Sequence, residues 1–426
     1  MPAKNLRRVI PEKFMSKSLA LFGGPKVRTK PFHSWPVFDR TDERRVVRAL
    51  RSGKWGRLDG QEVAEFERRF AAMHDCKHAI GVVNGTVSLR IALMAAGIRA
   101  DDEVIVPPYT FLATATAVVE ANAVPVFADI ELDTFNLDPQ AVEAAITPRT
   151  RAIIPVHIAG QPADMNALMR IAKRHKLVVL EDAAHAHGAS YRKRGVGSIG
   201  HLGSFSFQSS KNLTSGEGGL ITVNDDKLAE ACRSIHNCGR VPGGLWYEHH
   251  VMSANYRLGE LQGALLNAQL NRLKKQTATR DRNGQYLAAK LSKIPGIHPQ
   301  RRTAETTRHS YHLFLFRVEA NAFGAPRAAV LKALAAEGIP VSGGYAVPVY
   351  RQPLFLNKAF GPYLPTARQS LDFGKVRCPN CETICAEQGA WLEQRIFLGT
   401  KSDMDDIARA FEKVYEHRRA LGKARL

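Results

Sequence analysis

Short apolar runs alternating with helical patterns organise the first two-thirds of the chain. Residues 103–106, 124–127, 152–155 and 177–180 are four-residue apolar runs that predict buried strands, and 204–207 and 220–223 predict two more. Between the first four, the spacing predicts helices over 110–121, 138–145 and 165–174. Earlier, Val63, Phe66, Phe70 and Met73 recur at helical spacing, and 87–96 is a second apolar helical pattern. Such alternation predicts an α/β fold whose largely parallel sheet is covered on both faces and keeps its ligand at the carboxyl ends of the strands. Near residue 270 the pattern changes. A charged helix from Leu270 to about Lys293 precedes Tyr311-His-Leu-Phe-Leu-Phe316, a helix over 325–337, and a last helix with Ile407, Phe411 and Val414 on one face. The expected organisation is a basic leader (1–18), a large domain (19–270) and a smaller C-terminal α+β domain (271–426).

Composition adds little against this picture. The 426 residues are 45% hydrophobic and 23% charged, ordinary for a soluble enzyme. No apolar stretch reaches membrane-spanning length, and the opening segment lacks the apolar centre of a secretion signal, so the expected location is the cytoplasm. Net charge is +20, with +7 in the first thirty residues, where eight Lys/Arg face Glu12 alone. No aromatic-interleaved RNA motif or zinc-finger spacing accompanies that excess, which reads as solubility and attraction of anionic ligands rather than nucleic-acid binding. The cysteines, at 76, 232, 238, 378, 381 and 385, are too sparse for a disulfide framework. Cys378-Pro-Asn-Cys381-Glu-Thr-Ile-Cys385 lacks a second pair to complete a metal site and reads as a proline turn opening a helix. No metal is expected.

Two residues suggest a chemistry. Asp182 ends an apolar strand, where a buried carboxylate needs a cation, and Lys211 follows twenty-nine positions later in a polar loop. A lysine that binds an aldehyde and a carboxylate that holds a pyridine nitrogen protonated are what pyridoxal phosphate needs from a protein. Ala184 is small enough to lie under a flat ring, and His185 can reach a phenolic oxygen. His185 and His187 are not expected to form a metal pair, since alternate residues of an extended segment point opposite ways. Gly85 and Thr86 open the apolar helix at 87–96, and with Ser206 they make a candidate phosphate cup. The Gly216-Glu-Gly-Gly219 turn lets backbone pass close to a ligand.

Together, Pro108-Tyr-Thr-Phe111, Glu181-Asp-Ala-Ala-His185, Ser204-Phe-Ser-Phe-Gln-Ser-Ser-Lys211, Gly216-Glu-Gly-Gly219 and Asn255-Tyr-Arg257 resemble the DegT/DnrJ/StrS aminotransferases over about residues 19 to 417. The resemblance implies a fold type I pyridoxal-phosphate-dependent transferase that aminates keto-sugars or keto-cyclitols. It implies that Lys211 is the Schiff-base lysine and proton shuttle, and that Asp182 binds the pyridine nitrogen. Phe111 and Ala184 would lie on the two ring faces, and His185 near the ring hydroxyl. Gly85, Thr86 and Ser206 would hold the phosphate with Asn255 of a neighbouring subunit, making a homodimer with shared sites. Gln208, His312 and Tyr345 are the substrate-side candidates. Gln208 stands where family members acting on nucleotide-linked sugars carry His, and so resembles the subgroup that aminates scyllo-inosose-type cyclitols with glutamine. Glutamate as donor, a nucleotide-diphosphate keto-sugar as acceptor, 3-amino-5-hydroxybenzoate synthesis, and a cofactor-bearing or DNA-binding regulator are the alternatives.

Overall fold

The computed structural model describes residues 18–241, 243–366 and 370–422, so the basic leader up to residue 17 lies outside the described residues. The four predicted parallel strands are present as Glu103–Val106, Val124–Phe127, Thr150–Ile153 and Val178–Asp182. Leu202–Ser206 and Gly219–Val223 follow, and a seventh strand, His78–Val82, sits on the far edge beside Gly219–Val223. Only Gly219–Val223 runs against the others. Nearly every residue of these strands is buried, as expected of a sheet with helices on both faces. The helices Gly85–Ala95 and Ala113–Glu120 cover one face; Met165–His175 and Glu62–Met73 help cover the other.

Helix ends follow local chemistry. The predicted helix at 110–121 begins only at Ala113, and the Thr110 hydroxyl lies 2.9 Å from that of Thr114 in its first turn. The charged helix is longer than the sequence suggests, Glu260–Leu291, and runs through position 270. Its hidden first turns carry buried polar residues: Glu260 accepts from Glu62 N and Val63 N, and Gln269 donates to Val37 O and Asp42. A second, three-stranded antiparallel sheet, Ile297–Pro299, Leu313–Val318 and Gly389–Glu393, packs with helices Arg327–Ala336 and Lys401–Glu416 around its own core. Pro379 opens a short helix, as predicted, and no His/Cys/Asp/Glu group able to hold a metal occurs among the described residues. Nor is any described helix long and apolar enough to cross a membrane.

The early segment is stitched to this second core. Buried Glu337 accepts from Ala20 N at 2.8 Å and Val27 N at 3.0 Å, and Arg28 pairs with Asp403 at 2.9 Å and Asp406 at 2.7 Å.

Next to Asp182, Glu181 is fully buried. Its carboxylate meets His157 Nε2 at 2.9 Å and accepts N–H groups from Gly197, Ile199 and Gly200 at 2.6–2.7 Å. Burial alone would raise its pKa, but the His157 bond and these amides outweigh burial and hold it below the usual carboxylate range. Glu181→Ala is expected to cost about 3–5 kcal/mol, because those partners lose their acceptor in a dry interior. With the folded pKa lowered, the contribution is complete above the unfolded value of about 4.3 and lost as pH falls through the folded value. Urea denaturation at pH 7 and pH 4 checks this, and an Ala variant within 1 kcal/mol of the parent at pH 7 would contradict it.

Candidate functional site

A cavity of about 830 Å³ lies at the carboxyl ends of the parallel strands, where the loops after them converge. Eleven of the twelve residues singled out in the sequence line it: Gly85, Thr86, Phe111, Asp182, Ala184, His185, Ser206, Gln208, Lys211, His312 and Tyr345. Asn255 does not. It is exposed on the surface, its Oδ1 accepting from Arg257 N at 3.3 Å.

Asp182 terminates its strand with its carboxylate in the cavity wall. Thr114 donates to Oδ2 at 2.8 Å, and Ala184 N donates to Oδ1 at 3.2 Å. Burial raises its pKa, opposed by those two bonds and by the charge of Lys211. A cation in the cavity would therefore be drawn to it. Lys211 is half-buried; burial lowers its amine to about 8, against the pull of Asp182.

His185 and His312 lie in contact, ring centroids 4.2 Å apart and planes tilted by 39°. Burial pushes both well below the usual histidine value, helped for each by the charge of Lys211, so both are neutral at pH 7. Their tautomers follow from their partners. Ala159 N donates to His185 Nδ1 at 3.3 Å, which leaves the proton on Nε2. His312 Nδ1 faces Asn212 Oδ1 at 3.2 Å, an amide fixed by its donation to Ser310 O, so His312 Nε2 keeps its lone pair. One histidine thus offers a donor and the other an acceptor. His187 turns away and is buried between Phe205 and Phe207. The two histidines do diverge, but through turns at 184–185 and 187–188 and not through the extended segment expected.

At the far wall, Asn84 caps the helix Gly85–Ala95. Its side chain takes the Val87 N–H and its carbonyl the Ser88 N–H, leaving the Gly85 and Thr86 amides for a ligand. The close packing needs glycine: a Cβ on Gly219 would fall 2.3 Å from the Asn84 backbone, and one on Gly85 2.6 Å from Ser206 Cβ. Gln208 spends its amide on its own loop, accepting from Ser210 N and Oγ and donating to Ser209 Oγ. Tyr345 stands edge-on to Tyr109 and Trp391, and Phe111 is 62% exposed at the cavity mouth.

Sequence reasoning missed Thr114, Asn212, Trp35 and Gln394. Asn212 was within reach as the residue after Lys211; the others arrive by tertiary packing.

A model of the DegT/DnrJ/EryC1/StrS aminotransferase family matches residues 37–373. The chain belongs to that family. It is 40% identical to the L-glutamine:2-deoxy-scyllo-inosose aminotransferase of Streptomyces kanamyceticus over 95% of this chain and 99% of the relative. It is 38% identical to the 3-amino-5-hydroxybenzoate synthase of Amycolatopsis mediterranei, over 88% and 95%. A crystal structure of 3-amino-5-hydroxybenzoic acid synthase superposes with a TM-score of 0.82 at 36% identity, covering 92% of this chain and all of that one. The protein is an aminotransferase of fold type I, and its cofactor is pyridoxal 5′-phosphate.

Proposed function

We propose that this aminotransferase moves the amino group of glutamine to a keto-cyclitol of the scyllo-inosose type, by a two-stage reaction in one cavity. The observation that carries the substrate class is the near-full-length likeness to an L-glutamine:2-deoxy-scyllo-inosose aminotransferase. Gln208, in place of a histidine three residues before Lys211, supports the same acceptor.

The cavity fits the cofactor. The free amides of Gly85 and Thr86, backed by Ser206, suit a phosphate; Asp182 suits a protonated pyridine nitrogen; Ala184 leaves room for a flat ring; and His185 Nε2–H suits the ring oxygen. When bound, pyridoxal phosphate supplies the electron sink that makes the carbon bearing nitrogen acidic. Lys211 Nζ would hold the cofactor between turnovers and, as a free amine, would take a proton from the donor carbon and return it to the cofactor. Asp182 keeps the pyridine proton in place, and Tyr345 and His312 face the substrate. Gly85→Ala should weaken cofactor binding by about 1–3 kcal/mol, roughly ten- to hundredfold, since its methyl group meets Ser206. Titration of apoprotein by absorbance reads this out; unchanged affinity would remove Gly85 from the phosphate site.

The reading includes a homodimer in which Asn255 completes the partner's phosphate site. Support comes from its exposed position beside Leu245, Trp246, Tyr247 and Met252, an apolar stretch 77–91% exposed. It also includes a lobe division near residue 270, supported by a core around the second sheet that, Leu19 aside, is drawn from residues 287–421, and a cytoplasmic location, where glutamine and cofactor are available.

The likeness to 3-amino-5-hydroxybenzoate synthase supports a second reading, aromatisation of an amino-cyclic ketone. Turnover of purified holoenzyme with glutamine and 2-deoxy-scyllo-inosose, beside a nucleotide-diphosphate keto-sugar, separates the readings. An aminated cyclitol supports the first, an aromatic ultraviolet band in the product of a cyclohexenone acceptor the second, and turnover of the keto-sugar alone would overturn both.

A further inference from the structure

Arg280, on the long helix, is fully buried, and burial lowers it to about 9, so it remains charged at neutral pH. Among the described residues no carboxylate pairs with it, and its Nη1 has no hydrogen-bond partner. A buried cation without a counter-anion is costly, and this one lies directly behind two residues of the cavity wall, Gln394 and Trp35. Its guanidinium lies 5.2 Å from the ring centroid of Trp35, a cavity wall whose Nε1 donates to Ser209 O, two residues before Lys211. Its Nε and Nη2 both donate to Gln394 Oε1, at 3.0 and 2.5 Å.

Those two bonds orient the carboxamide. A guanidinium only donates, so the oxygen of Gln394 must face Arg280 and its NH₂ must point the other way. Gln394 is 4% exposed and lines the cavity, and among the described residues no acceptor bonds its Nε2. The other cations of the cavity wall each have a carboxylate neighbour. Lys211 faces Asp182, while Arg395 gives Nε to Glu393 at 2.8 Å and Nη1 to His33 O. Gln394 thus offers the cavity an amide donor backed by a positive charge that no carboxylate balances among the described residues.

We propose that Gln394 Nε2 receives the α-carboxylate of the amino-acid donor, and that Arg280 is the positioning residue that aims it and supplies the compensating charge. The inference rests on the aminotransferase reading above and adds a location for donor recognition. A neutral cyclitol gains nothing from this charge, so the device discriminates between the two substrates that share the cavity.

Donor-stage kinetics of holoenzyme, followed by the absorbance of the bound cofactor, test it with glutamine and with its α-carboxamide, which lacks the carboxylate. Gln394→Leu and Arg280→Met should each raise the KM for glutamine roughly 10- to 100-fold, the range of a hydrogen bond to a charged group. They should change the carboxamide's KM and the acceptor's KM less than about threefold. Equal loss for both donors, or loss confined to the acceptor, overturns the assignment while leaving the aminotransferase reading intact. If Arg280→Met fails to fold, Gln394→Leu decides alone, since its cofactor spectrum reports an intact site. Indifference of the parent enzyme to every amino acid overturns both readings.

Discussion

Replacing Lys211 with alanine should lower turnover by at least about 10³-fold, because the proposed reaction uses this one side chain as both attachment point and proton carrier. The variant should still bind pyridoxal phosphate, since the Gly85 and Thr86 amides and Asp182 are untouched. Borohydride treatment followed by peptide mass analysis gives the discriminating readout: the parent should carry the cofactor on the Lys211 peptide, and the variant should carry none. Turnover within tenfold of the parent would remove Lys211 from the centre of the chemistry. A pH dependence goes with it. Only the neutral amine attacks an aldehyde, and burial lowers Lys211 to about 8. Cofactor uptake by apoprotein should therefore quicken about tenfold per pH unit below that value and level off above it.

Asp182→Asn should lower kcat by about 10² to 10³, the usual effect of removing one preorganised electrostatic contact at a reacting group. Ala184 N–H would still donate to the amide oxygen, and the Thr114 hydroxyl can turn to accept from the NH₂, so the loss would report charge rather than position. Asp182→Asn turnover within threefold of the parent, with full cofactor loading, would show that the pyridine nitrogen is held elsewhere.

Much of this architecture was legible because parallel strands buried on both faces must be continuous apolar runs; Glu103–Val106 and Val124–Phe127 begin and end where the sequence places them. The edge strand His78–Val82 escaped, since glycine at 81 breaks the run that would announce it. The long helix was seen late for a different reason. Its opening turns bury Glu260, Asn267 and Gln269 among hydrogen-bond partners nearly two hundred or more residues away, and a polar pattern whose partners are remote reads as surface. At the site, Asp182, His185 and Lys211 announced themselves because strand ends and spacing put chemistry in predictable places. Trp35, Gln394 and Arg280 gave no such signal: each gains meaning only from the others, across 359 positions of chain from Trp35 to Gln394.

The clasp around Glu337 bears on how the chain assembles during synthesis. Ala20, Val27 and Arg28 are made more than three hundred residues before their partners Glu337, Asp403 and Asp406. Closing a loop of more than three hundred residues is slow, and the Arg28 pairs cannot form before the helix Lys401–Glu416 exists. Trp35, a wall of the cavity, is threaded between that clasp and the Lys211 loop. A nascent chain can thus complete its central sheet while the cavity still lacks a side, so that the cavity is finished only after the helix Lys401–Glu416 has been made.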